Sequence, residues 1–328
     1  MILYIIFLLI LNLIILFNYN RLSAIVGLYD YPDKVRKNHK HKTSLIGGFW
    51  ILINLFSYCL FDFLNIFESS FFVDKYEIIV FLGFSYIFFF VGYLDDKYNL
   101  SANLKLLIYI CLLLILISFN SDLIIHDLNF KFNNWTLKLT FFEIYFSVLC
   151  FLLFINALNM LDGINGQVAT YIIFISIIFF LLKINYIFFL TLIIVLLFFL
   201  YLNFKNKVFL GDNGSILLGF IISYFFVKSY NMSFNLYVDE IFLIMMVPGY
   251  ELFRLALSRL MKKKHPFKAD NQHIHHLMIV KIGYLRSYLL IQVILVLPYM
   301  FYLLTQNSML SLLLSTTLYS STIFILKK

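Results

Sequence analysis

Apolar residues run along this chain in blocks of fifteen to twenty, and polar residues fall in short islands between the blocks. At about 20 apolar residues per bilayer crossing, the blocks predict helices near 2–18, 45–62, 77–94, 103–120, 141–158, 165–182, 184–202, 214–228, 238–259, 286–304 and 308–326. The pattern predicts an all-α polytopic membrane protein with about 10–11 transmembrane helices. Residues 1–18 lack a basic start and a small-residue cleavage site, so they read as a retained first span. Segment 121–140 alternates weakly around Asn133–Asn134 and reads as a short hairpin outside the bilayer. No internal repeat or soluble domain stands out, so 1–328 reads as a single membrane domain.

Composition agrees: hydrophobic residues make up 62% of the 328 and charged residues only 13%, against about a quarter charged in soluble domains. The net charge of +8 would suit nucleic acid, but the basic residues lie in loops between spans, where the positive-inside rule explains them. No nucleic-acid partner is expected. Twenty of the 25 Lys and Arg fall on one side of the predicted spans, mainly in 21–43 and 254–286. That bias puts the N-terminus outside and the C-terminus in the cytoplasm. Cys59, Cys111 and Cys150 show no paired spacing and read as small buried hydrophobes.

Four polar islands then face the cytoplasm together. Ionised groups at a helix centre cost about 2.5–3.5 kcal/mol each on insertion scales, so their concentration at span ends asks for a cause. Asp95–Asp96 is a carboxylate pair that needs a cation or a raised pKa; it suits Mg²⁺ or a base, or else a solvated turn closing a span. In Asn156-Ala-Leu-Asn159-Met-Leu-Asp162-Gly163-Ile-Asn165-Gly166 the polar residues recur at helical spacing on one face, ahead of glycines that allow close approach. Gly211-Asp212-Asn-Gly-Ser215 reads either as a helix cap or as N–H groups aimed at an anion. His273-Ile-His275-His276 follows Arg254, Arg259, a lysine run and Asp270. It lacks a fourth ligand at zinc spacing and suits a pyrophosphate clamp better. The lysines also serve topology and anionic lipid.

In this order the islands resemble the polyprenyl-phosphate N-acetylhexosamine-1-phosphate transferase family. It includes the undecaprenyl-phosphate GlcNAc-1-phosphate transferases and the phospho-MurNAc-pentapeptide translocases. Asp30 to His39, followed by Gly47–Gly48, looks like the family's first cytoplasmic loop. The resemblance implies attack of a polyprenyl phosphate on a UDP-amino sugar at the cytoplasmic face of the inner membrane, with UMP leaving, as the first step of an envelope polysaccharide. It implies Mg²⁺, or Mn²⁺, on Asp212 and Asp162. It implies that Asp95 or Asp96 orients or deprotonates the lipid phosphate. Asp162 also lines the nucleotide-diphosphate pocket with Asn156, Asn159, Asn165 and Gly211. His273, His275 and His276, with Lys105 and Arg259, would hold phosphate oxygens. A homodimer fits by analogy.

Three positions depart from the family pattern. Asn165 replaces an Asp, Glu251 stands where many relatives have Asp, and Thr43 where Pro is common. A membrane transporter is the alternative from another class, but its coupling acids should lie near mid-bilayer in repeated halves, which this sequence does not show. Within the family the His-Ile-His-His form is closer to the GlcNAc-type branch than to the pentapeptide translocases. The loop at 260–283 is expected to set the sugar.

Overall fold

The computed structural model describes residues 1–31, 42–67, 70–232, 236–263 and 272–327. In chain order the elements are α1 (Ile2–Val26), β1 (Tyr29–Asp30), β2 (Thr43–Ser44), α2 (Gly47–Phe63), α3 (Lys75–Tyr98), α4 (Ala102–Phe119), β3 (Asp127–Phe130), β4 (Trp135–Lys138), α5 (Glu143–Leu161), α6 (Gln167–Leu181), α7 (Tyr186–Asn203), α8 (Gly211–Asn231), α9 (Val238–Met261), α10 (Ile274–Ile282), α11 (Tyr284–Thr305) and α12 (Ser308–Lys327). Every predicted span corresponds to one helix. Among the described residues eight helices are long and apolar enough to cross a membrane, while α2 and α6 are apolar but shorter. The protein is an all-α, multi-pass membrane protein.

Several boundaries move. The helix α1 continues to Val26, where Gly27 at φ 68° ends it. Asp95 and Asp96 lie in the last turn of α3, not in a turn beyond it, and Asn99 at φ 52° closes the helix. Asp162 does not extend the Asn156–Asn159 face; it caps α5 in a non-helical conformation. The basic stretch before α11, read as loop, contains α10. The hairpin is present as the antiparallel pair β3–β4. Of the cysteines, Cys59 is buried, but Cys111 is exposed, and all three are free.

The chain divides into two compact units, Met1–Leu100 with Val168–Ile221, and Ser101–Gln167 with Ile222–Lys328. In the first, α2 packs on α1, α3 and α7. Apolar packing does not hold helices together against lipid, so buried polar pairs take that part. Asn12 of α1 donates to Asn54 of α2 at 2.8 Å and accepts from the Trp50 indole at 2.6 Å. Tyr4 of α1 meets Thr191 of α7 at 2.9 Å. In the second unit α9 packs on α5, α11 and α12. Near its start, Glu240 binds Lys131 of the hairpin loop at 3.2 Å and the Tyr302 hydroxyl of α11.

Interhelical hydrogen bonds in bilayers average about 0.6 kcal/mol and reach about 1.7. Asn12 joins three of them. Asn12→Ala should lower the thermal unfolding midpoint in detergent, and by more than Asn18→Ala, whose amide reaches only Ile14 of its own helix.

Candidate functional site

The structure gathers the four islands as two clusters, one in each unit. In the first unit the Asp95–Asp96 island meets the Gly211–Ser215 island. Asp96 presents both carboxylate oxygens to the start of α8. Oδ1 accepts from the Asp212 N–H at 2.9 Å; Oδ2 accepts from the Asn213 N–H at 3.0 Å and from the Asn213 side-chain amide. The anion expected at this helix N-terminus is therefore a carboxylate of the chain itself. Charge here is favoured by the helix dipole, by about 0.3–1 kcal/mol and up to about 2 when partly buried. Asp95 is buried and accepts from the Leu100 N–H at 2.9 Å, which fastens the chain as it leaves α3.

Glycines make the contact possible. A Cβ on Gly92, one turn before Asp96, would lie 2.5 Å from the Asn213 Cα, and one on Gly48 would lie 2.0 Å from the Asn213 Oδ1. Asn213 thus sits in a notch between α2 and α3, its amide also donating to the Leu45 carbonyl at 3.0 Å. Gly211 adopts φ 73° and approaches Asp96 directly. The spacing of Gly92 and Asp96, four apart on one helix face, was the sequence signal for this meeting. Gly92 and Asn213 received no role from sequence.

In the second unit the Asn156–Gly166 island meets the histidines. Asn156 donates to the Leu152 carbonyl of its own helix at 2.7 Å. The chain then turns through Asp162 and Gly163, with Gly166 at φ 79° leading into α6. The His275 ring lies against Gly163, so that a Cβ there would fall 2.0 Å from Nε2. Asn165 donates its N–H to the Tyr284 hydroxyl of α11 at 2.8 Å. The three imidazoles cluster: His273 stacks on His275 at 5.2 Å between ring centroids, and His276 lies tilted against His275 at 4.3 Å.

Glu251 holds the histidines in place. Arg254 grips it through Nε at 3.0 Å and Nη2 at 2.8 Å, Tyr319 of α12 donates to it, and so does the Ile274 N–H at 2.8 Å, the first residue of α10. Arg254 also reaches the Gln272 carbonyl at 2.7 Å. A buried carboxylate is tolerable when paired and fully hydrogen-bonded, and Glu251 meets that condition. Sequence comparison with the family marked Glu251 only as a departure. Its tie to α10 is not readable 23 residues away along the chain.

Of the remaining predicted residues, Asn159 lies in the last turn of α5 and Arg259, buried, in the last turn of α9, where a cation suits the dipole. Lys105 lies in the first turn of α4, where a cation opposes it. His39 and Asp270 fall outside the described residues, as do 264–271 of the predicted sugar-setting loop. Among the described residues no three of His, Cys, Asp and Glu form a closed metal cage. Mg²⁺ does not require one, because it keeps waters and takes one or two carboxylates plus substrate phosphates. The Asp212 carboxylate supplies oxygen of the kind Mg²⁺ takes.

The fold is that of a multi-pass membrane protein whose polar chemistry collects at helix ends. A family model, Glycosyl transferase family 4, matches residues 78–230, a stretch holding Asp95, Asp96, Asn156 to Asn165 and Asp212. The chain is 26% identical over 276 residues to an undecaprenyl-phosphate alpha-N-acetylglucosaminyl 1-phosphate transferase of Escherichia coli O157:H7, covering 80% of this chain and 72% of that one. It is 28% identical over 283 residues to a protein of Bacillus subtilis (strain 168) named probable undecaprenyl-phosphate N-acetylglucosaminyl 1-phosphate transferase, with 84% and 76% covered. Over residues 78–230 the chain is similar to glycosyl transferase family 4, and over most of its length to these sugar-1-phosphate transferases.

Two outcomes follow from the clusters. Gly92→Ala should lower the unfolding midpoint, because its Cβ meets backbone. Gly83→Ala in the same helix has nothing within 4 Å and should be neutral or stabilising, Ala being favoured over Gly by up to about 1 kcal/mol in a helix.

The second concerns pH. Burial, and then the neighbouring His276 and His273, hold the His275 imidazole well below its ordinary value. The unfolded chain therefore takes up this proton first as pH falls. The His275 contribution is fully present above about pH 6.5 and is lost below it. Unfolding midpoints measured from pH 8 to 5 should fall more steeply for the wild type than for His275→Gln.

Proposed function

We propose that the chain transfers an N-acetylated amino-sugar 1-phosphate from a UDP-sugar to undecaprenyl phosphate at the cytoplasmic face of the inner membrane. The observation that carries this reading is the Asp96-bound start of α8, with Asp212 on its first turn, inside the segment matched by the family. The relatives' names supply the lipid acceptor and an amino sugar. An oxygen of the lipid phosphate attacks the β-phosphorus of the UDP-sugar. The bond from that phosphorus to the bridging oxygen breaks, UMP leaves with the electron pair, and a lipid-diphosphate sugar forms.

The reaction brings several anionic oxygens together, so catalysis is chiefly positioning and charge neutralisation. Mg²⁺, when bound, would neutralise phosphate oxygens. Asp212 would hold it. Asp96 positions Asp212 by fixing the helix start. Asp95 and Asp96 are the carboxylates available to orient the lipid phosphate. His273 and His276, with Lys105 and Arg259, would contact phosphate oxygens, while Asn156, Asn159 and Asn165 would line the donor pocket. The lysine and arginine bias supports the cytoplasmic face. The product is the lipid-linked first sugar of an envelope polysaccharide.

Membranes carrying the protein, given undecaprenyl phosphate, Mg²⁺ and each of several UDP-amino sugars, should release UMP and form a lipid-linked sugar. Asp212→Asn should abolish both while leaving the unfolding midpoint unchanged. Inverted vesicles should use externally added UDP-sugar and right-side-out vesicles should not. Absence of product from every donor would refute the transfer, and full activity of Asp212→Asn would remove the metal assignment.

A further inference from the structure

The β3–β4 hairpin is amphipathic. Its register pairs Leu128 with Leu137 and Phe130 with Trp135, and Asp127 with Lys138 and Asn129 with Thr136. Side chains alternate across a strand, so the first two pairs share one face and the last two the other. The apolar face is not used up by protein packing. Trp135 is 51% exposed although it stacks on Phe130, and Leu137 is exposed as well.

The position of the hairpin is fixed. On the outer edge of β3, the Tyr230 hydroxyl accepts from the Asn129 N–H and donates to the Asp127 carbonyl. Lys131 is held by Glu240 and Tyr302, and its own N–H by Asp239. Eleven residues separate Glu240 from Glu251, about 16 Å along α9. The hairpin therefore lies toward the opposite end of α9 from the histidines.

What covers its apolar face is indicated by continuity. The segment leaving β4 exposes Phe141 at 93% and Phe142 at 68%. The exposed stripe then continues along α5 through Tyr145, Leu149 and Leu153, at steps of three and four. That stripe belongs to a helix long and apolar enough to cross a bilayer. Aromatic residues concentrate at the boundary between headgroups and acyl chains. We propose that the β3–β4 hairpin and the turn after it form an interfacial anchor, with the Phe130–Trp135 face and Phe141–Phe142 seated in the phospholipid headgroup region.

The chain has only two tryptophans, Trp50 and Trp135, and Trp50 is fully buried. This permits a direct test. The full-length Trp50→Phe protein is placed in vesicles of phosphatidylcholine and phosphatidylglycerol, with or without bromine on the upper part of the acyl chain. Bromine should remove most of the Trp135 emission. In native-background protein, Trp135→Phe should lose that bromine-sensitive component; this second arm does not depend on how Trp50→Phe folds. Two results overturn the anchor. Emission untouched by bromine and quenched by aqueous iodide would put the hairpin in water. Emission untouched by either would mean that protein, such as a second copy, covers the face.

Discussion

One carboxylate determines how the first unit is built. Asp96 neutralises the exposed N–H groups of α8, and a charge this close to hydrocarbon is stable only while those donors face it. Three other features follow from the requirement. Gly92 must lack a side chain so that α8 can approach, Gly48 must do the same from α2, and Gly211 must adopt a left-handed conformation at the point of contact. The helix start carrying Asp212 is thus fixed by a neighbour's charge and two missing side chains.

The second unit reaches the same end by a different bond. There a buried Glu251 accepts from an arginine, a tyrosine and the first N–H of α10. Both clusters use a carboxylate to hold a helix N-terminus, one from the last turn of α3 and one from within α9. Pre-existing order of this kind is what a reaction between phosphates demands of a protein, since most of the catalytic gain comes from placing groups correctly.

The helices were legible because length and apolarity alone define a bilayer crossing, and the hairpin because alternation and Asn133–Asn134 mark it. The ends were not. Apolar windows stop at the first charged residue, so Asp95, Asp96 and Asp212 fell outside the predicted spans 77–94 and 214–228; the helices absorb them because each carboxylate or N–H finds its partner there. The short α10 was missed for a related reason. Three histidines and flanking cations look like loop, and the helix owes its position to Glu251, which lies in a different apolar block. Pairing between islands is long-range information. Sidedness suggested that the islands belong together, but only the packing of Gly92 on Asn213 and of Gly163 on His275 says which belongs with which.

Those pairings also set an order of assembly. Asp96 and Asp212 are 116 residues apart, and Gly163 and His275 are 112 apart. A chain made and inserted from its N-terminus must therefore keep Asp96 without its helix until four further spans have been delivered. The arrival of α8 is the event that brings its N–H partners. The contact that fixes the start of α8 thus forms only late in the chain's own synthesis.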